Sequence, residues 1–177
     1  MLGARLFSAC DLVVSLLGVP ELVDAAYARP VPGRPLHALP GDSLRGLTGD
    51  MTLNLRFPDG RACGILASDH AASWSRSLRL LGDAGEIRAD DAGFTWLDAE
   101  GTTIETWRHP ERNAEHTQCD GLDEIAAAIT AMLAPVSPDE QRIEPASVLN
   151  VTQAALLSAR TGQAESPETM RKIGVVG

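Results

Sequence analysis

The chain contains a single lysine, Lys172, and that scarcity excludes more chemistry than any motif in the sequence establishes. Schiff-base formation and a lysine general base each need a neutral lysine amine held in a site, and a lysine phosphate clamp needs its ammonium there. Basic residues of both kinds number 15 against 24 acidic ones, a net charge of -9, so the chain repels a phosphate backbone and no nucleic-acid partner is expected. Cysteine is scarce too. Cys10, Cys63 and Cys119 lie far apart without a C-x-x-C pair and read as packed, reduced thiols of a cytoplasmic protein. No apolar run approaches the ~20 residues that cross a bilayer, so a soluble chain and no membrane partner are expected. The amino terminus, with an apolar run and Ala26-Tyr27-Ala28, imitates a secretory signal, but Asp11 interrupts it. There is no G-x-G-x-x-G after a strand, no P-loop, no H-E-x-x-H and no G-x-S-x-G.

What is present is 177 residues with 44% hydrophobic content, enough for one packed domain over 1–177. Apolar spacing predicts a helix from Leu6 to Leu17, ended by Gly18 and Pro20, then a strand from Glu21 to Arg29. Four prolines between Pro30 and Pro40 make 30–48 a long loop, either a lid or interface arm or a solvated excursion. From Gly49 the period becomes two. Met51, Leu53, Leu55 and Phe57 alternate with Thr52, Asn54 and Arg56, and further strands are expected at Ala62–Ser68, Ser75–Leu81, Glu86–Ala89, Phe94–Leu97 and Thr102–Trp107. Asp- and Gly-bearing turns at 58–60, 82–85, 90–93 and 98–101 join them as antiparallel neighbours. Helical spacing returns at 120–133, with Leu122, Ile125, Ile129 and Met132, and again from Pro145 to Gly162; Ser166-Pro167-Glu168 opens a last short helix. The fold class is α+β: an open, mostly antiparallel sheet of about six strands with helices packed on one face.

Chemistry-bearing constellations are few. His109 and His116 near Cys119 or Asp120 have a conceivable metal spacing, but exposed loop histidines explain them more simply, and no metal is expected. Asp90-Asp91 beside Ala92-Gly93 reads as a solvated turn rather than an acid/base pair. Trp74, Trp96 and Trp107 would suit ligand stacking, but a period-two strand position more often means core or interface packing. No catalytic residue is identified.

Asp11-Leu12 through Leu17-Gly18, Asp50 through Asp59-Gly60, Leu78 through Glu86-Ile87, and Ala154 through Thr161-Gly162, taken in order, resemble the carboxy-terminal half of the Gfo/Idh/MocA oxidoreductases. The resemblance implies an α/β domain with an open sheet that supports substrate binding and oligomerisation, paired in the family with an amino-terminal Rossmann domain for NAD(P). In the family's H-x-x-D pattern on the first helix, Asp11 matches the Asp and Ser8 stands where the His would be. A hydroxyl without an adjacent base cannot exchange protons near neutrality as imidazole does. Ala4 replaces a further family Asp, and neither the Rossmann domain nor its Glu-Lys-Pro segment has a counterpart in these residues.

The resemblance therefore implies a substrate-binding and oligomerisation domain that is not catalytically self-sufficient. Ser8 and Asp11 are its substrate-pocket candidates, and a sugar or polyol is its implied ligand. NAD or NADP enters only through a missing or separate Rossmann subunit. The alternative reading is a non-catalytic small-ligand binding protein or oligomerising module. Apolar residues on both sides of the strands, Ile65 against Leu66 and Leu80 against Leu81, further predict a homodimer through the sheet face.

Overall fold

The computed structural model describes residues 2–29, 44–70, 75–108 and 145–174. The chain divides into two compact units, Met1–Ala71 with Gln141–Gly177, and Ala72–Glu140.

In the first unit a helix α1 (Leu2–Leu17) precedes three antiparallel strands in order β1 (Leu22–Ala28), β2 (Asp50–Arg56) and β3 (Ala62–Ser68); helices α2 (Pro145–Thr161) and α3 (Pro167–Gly174) close it. The period-two pattern does what it predicts. Cross-strand rows Val23–Leu55–Cys63, Ala25–Leu53–Ile65 and Tyr27–Met51–Ala67 share one face, while Asp24–Asn54–Gly64 and Ala26–Thr52–Leu66 share the other. The first face joins Leu2, Leu6 and Cys10 of α1 and Val148, Val151 and Ala155 of α2 in one buried core, so helices cover one side. The opposite side is mostly small or polar, with Leu66 its one large exposed hydrophobic residue, at 75%.

The helix ends follow from local chemistry. Gly18 at φ 85° donates its amide to Val14 O and stops α1, and Gly162 at φ 68° does the same for α2 through Ser158 O. Helix α1 begins four residues earlier than its periodicity predicts: Gly3 and Ala4 blur the apolar stripe, but Leu2 is fully buried and its amide bonds Leu47 O. Gly3 is itself a contact point, because a Cβ there would lie 2.2 Å from Leu44 O.

Strand β1 is an edge, and its outer side is closed by the carboxy-terminal segment. Val23 and Glu165 form an isolated antiparallel bridge with both amide bonds made, at 2.9 and 2.8 Å. Two residues further along β1 a side chain takes the place of a strand: Ser158 Oγ of α2 accepts the Ala25 amide at 2.9 Å, both residues buried. Unpaired edge groups invite foreign strands, and this edge offers few.

The second unit holds a four-stranded meander, β4 (Ser77–Gly82), β5 (Gly85–Asp90), β6 (Gly93–Leu97) and β7 (Thr103–Arg108), every neighbour antiparallel. The expected strands are all present within a residue or two at each end. The single sheet of the sequence reading becomes two, because alternation reveals which side chains share a face but not which consecutive strands pair. The Asp-Gly turns form as expected. Gly85 and Gly93 both have positive φ, and a Cβ at either would sit 2.1 Å from the carbonyl oxygen of Leu97 or Trp107 on a neighbouring strand. The expected helix at 120–133 and most of the Pro-rich loop lie outside the described residues.

Candidate functional site

Ser8 and Asp11 lie three residues apart on the exposed side of α1, one turn from each other, with Leu12 and Leu16 beside them at 45% and 46% exposure. Their position follows from the same periodicity that buries Leu6, Cys10, Val13 and Val14 on the other side. The Asp11 carbonyl accepts the Ser15 hydroxyl at 2.7 Å. One helical turn before Ser8, the Arg5 guanidinium donates to Ser68 O, tying α1 to the end of β3.

That strand end carries a polar cluster the sequence reading missed. Asp50 opens β2 and pairs with Ser68 on β3, and His70, two residues further, places Nδ1 3.2 Å from Asp50 Oδ2 and Nε2 3.7 Å from Asp69 Oδ1. Asp69 in turn accepts the Gly49 amide at 2.8 Å, and Tyr27 donates its hydroxyl to Thr48 O. The Ser68 hydroxyl, and after it His70, hold the Asp50 carboxyl below its ordinary range; burial leads in pushing the Tyr27 hydroxyl up, with Asp69 and Asp50 adding to it. A signal was available, since a hairpin centred on Pro58-Asp59-Gly60 pairs Asp50 with Ser68 by counting outward. The cluster can accept and donate hydrogen bonds to hydroxyl groups. Among the described residues no three His, Cys, Asp or Glu are placed to hold a metal ion. His109, His116, Cys119 and Asp120 lie outside the described residues.

The cysteines that are described are packed free thiols. Burial pushes Cys10 up to about 11, against a partly compensating hydrogen bond with Thr152, which keeps it a protonated thiol between α1 and α2; burial raises Cys63 as well.

In the second unit one sheet face is ionic. Glu86 lies between Arg88 and Arg79, its carboxylate 2.5 Å from each Nε, beside a shallow depression lined by Leu81, Asp83, Leu97 and Asp98. Hydrogen bonds from Arg88 first and Arg79 second lower Glu86 from 4.5 to about 2. A lowered carboxylate stabilises the fold above its unfolded range and loses that contribution as pH falls from about 4.5 towards 2. Glu86→Gln is therefore expected to flatten the acid limb of an unfolding titration in that window; an unchanged limb would show the two arginines contribute nothing there. Asp91 binds Arg76 through its backbone amide and Nε, both at 2.8 Å, and Asp90 caps the Ala92 amide, so this pair is the solvated turn of the simpler reading. On the other face Phe94, Trp96 and Trp107 stand together, Trp107 directly opposite Phe94; Trp74 lies outside the described residues.

The described residues do not fit a dinucleotide. Both sheets are wholly antiparallel, and the described positive-φ glycines sit in hairpin turns, in the segment leading into β2 or at helix carboxy termini, none at a strand-to-helix phosphate loop. No described helix is long and apolar enough to cross a membrane.

No protein-family model matches the chain, and no curated protein matches it by sequence. Solved structures do. An oxidoreductase from Agrobacterium radiobacter in complex with NAD+, L-tartaric acid and magnesium aligns over 93% of this chain with a TM-score of 0.63 at 17% identity. Levoglucosan dehydrogenase in complex with NADH and L-sorbose aligns over 94% with a TM-score of 0.61 at 18% identity. The WlbA dehydrogenase from Bordetella pertussis, in complex with NADH and UDP-GlcNAcA, aligns over 92% with a TM-score of 0.55 at 20% identity. The chain spans 48%, 50% and 44% of those proteins' lengths. At the level of fold the resemblance drawn from the sequence holds: this is an α+β domain with the architecture of one half of such dehydrogenases.

Proposed function

We propose that this chain is the substrate-side domain of an NAD(P)-dependent oxidoreductase, working with a nucleotide-binding domain supplied from outside these residues. The observation that carries the reading is the asymmetry of coverage: 94% of this chain against 50% of levoglucosan dehydrogenase. The exposed turn of α1 bearing Ser8 and Asp11 is where a sugar or polyol would meet it. Asp11 would accept hydrogen bonds from substrate hydroxyls, and Ser8 would bind without moving a proton. NADH titrated against these 177 residues is expected to give no saturable fluorescence change, because they contain neither a Gly-rich phosphate loop nor a catalytic lysine. Saturable binding at micromolar cofactor, with turnover of a sugar or polyol, would overturn the proposal.

The same reading makes the outer face of the β1–β3 sheet a homodimer contact centred on Leu66. An interface of ordinary size removes about 800 Å² per partner, and a leucine 75% exposed on a sheet face that none of the described helices covers is a natural centre for one. Leu66→Asp is expected to give folded monomers by light scattering. An unaltered chain that stays monomeric at high micromolar concentration would defeat the dimer.

A further inference from the structure

The ionic face of the second sheet carries more cations than its own acids neutralise. Register sets Arg79 directly opposite Arg88, with Thr95 and Thr106 continuing that row on β6 and β7; the next row of the same face holds Asp90, Gly93 and Arg108. Like charges opposite one another weaken a ladder, and here one carboxylate serves both guanidiniums. Glu86 accepts Nε and Nη2 of Arg88 at 2.5 and 3.0 Å, while Arg79 binds the same two oxygens. The other carboxylate, Asp90, is committed to its turn: Oδ1 accepts the Ala92 amide at 2.8 Å and stands 3.6 Å from Arg108 Nη1, beyond hydrogen-bond reach. On these strands three guanidiniums therefore face two carboxylates, in a chain whose net charge is -9.

Between two of those arginines the surface is hollow. Arg88, Asp90, Gly93, Thr95, Leu97 and Arg108 line a groove of about 240 Å³, in which β6 offers only a glycine and a short hydroxyl between the two guanidiniums. We propose that this groove binds the carboxylate of a small organic acid, held between Arg88 and Arg108. Arg108 presents a planar fork that suits a carboxylate, Arg88 keeps Nη1 for a second acceptor, and the Thr95 hydroxyl can donate as well. The volume falls below the ~300 Å³ at which pockets for drug-sized ligands begin, so the occupant is small. Charge selects its class. One negative charge matches the excess of one guanidinium, whereas a phosphate dianion would overshoot it beside Asp90. The depression on the other side of Leu97 has the opposite balance: Asp83 and Asp98 join Glu86 there, Arg108 is absent, and an anion is repelled. Both guanidiniums are 59% exposed, so binding is modest and weakens with salt. The site uses neither Ser8 nor Asp11 and stands independently of the function proposed for α1.

Sodium lactate titrated into the full chain at constant ionic strength, followed by nitrogen-15 NMR, tests the site. Saturable shifts are expected at the Gly93 and Thr95 amides and at the Arg88 and Arg108 Nε–H groups. Arg108→Gln is expected to weaken binding by about tenfold, the loss of one charge-assisted fork. Asp90→Asn, which keeps an acceptor for the Ala92 amide but removes the competing charge, is expected to tighten it. Arg76→Gln, whose partner Asp91 lies outside the groove, leaves the affinity unchanged. Shifts that sodium chloride reproduces, an affinity indifferent to Arg108→Gln, or inorganic phosphate binding more tightly than lactate would each overturn the proposal. Should Arg108→Gln fail to fold, Asp90→Asn decides, and an affinity that is unchanged or weaker there counts against the site.

Discussion

Replacing Leu53 by alanine is expected to cost about 2–5 kcal/mol, the range for truncating a buried leucine whose surroundings relax only in part. Leu53 is 1% exposed in the middle of the central strand, flanked across β1 and β3 by Ala25 and Ile65, both buried. Ala25 is too small to fill the void, and the facing layer of Leu6, Val148 and Val151 belongs to helices fixed elsewhere in the core. The control lies one residue away in register. Thr52→Ala, on the exposed face, should stay within about 0.5 kcal/mol. Urea unfolding midpoints for the two variants give the comparison; equal effects would mean that the faces are assigned wrongly.

Ser158→Ala should cost about 1–3 kcal/mol although it removes one oxygen atom. Ser158 and its partner amide are buried, and alanine leaves the Ala25 N–H with neither strand nor water to accept it. Ser158→Thr keeps the acceptor but adds a methyl to a site with no exposure, so it should fall between the two. A wild-type midpoint for Ser158→Ala would show that water reaches Ala25 and that the edge is more open than it looks.

How much of this was legible beforehand depends on which interactions are periodic. The β2–β3 hairpin was readable residue by residue, because Met51, Leu53 and Leu55 alternate strictly and Pro58-Asp59-Gly60 fixes the register. The end of α2 at Gly162 was equally plain. The division into two sheets was not, since strand pairing depends on contacts between segments that local alternation does not encode. Nor was Ser158 distinguishable: a serine in a helix stripe of Ala155, Leu156 and Ala159 resembles any small residue until β1 is seen to lack an outer neighbour. For the site, the shared helix face of Ser8 and Asp11 could be counted from their spacing. The His70–Asp50 contact needed the hairpin register to be carried past the strand ends.

The closure of the β1 edge divides the strand's amides into two populations. In an antiparallel ladder successive amides point alternately to the two sides, so those of Asp24 and Ala26 belong to the β2 pairing, while those of Val23 and Ala25 are held by Glu165 and Ser158. Hydrogen exchange along one short strand thus times two different events. Val23 and Ala25 exchange when the carboxy-terminal segment lifts away, and their neighbours wait until the sheet itself opens.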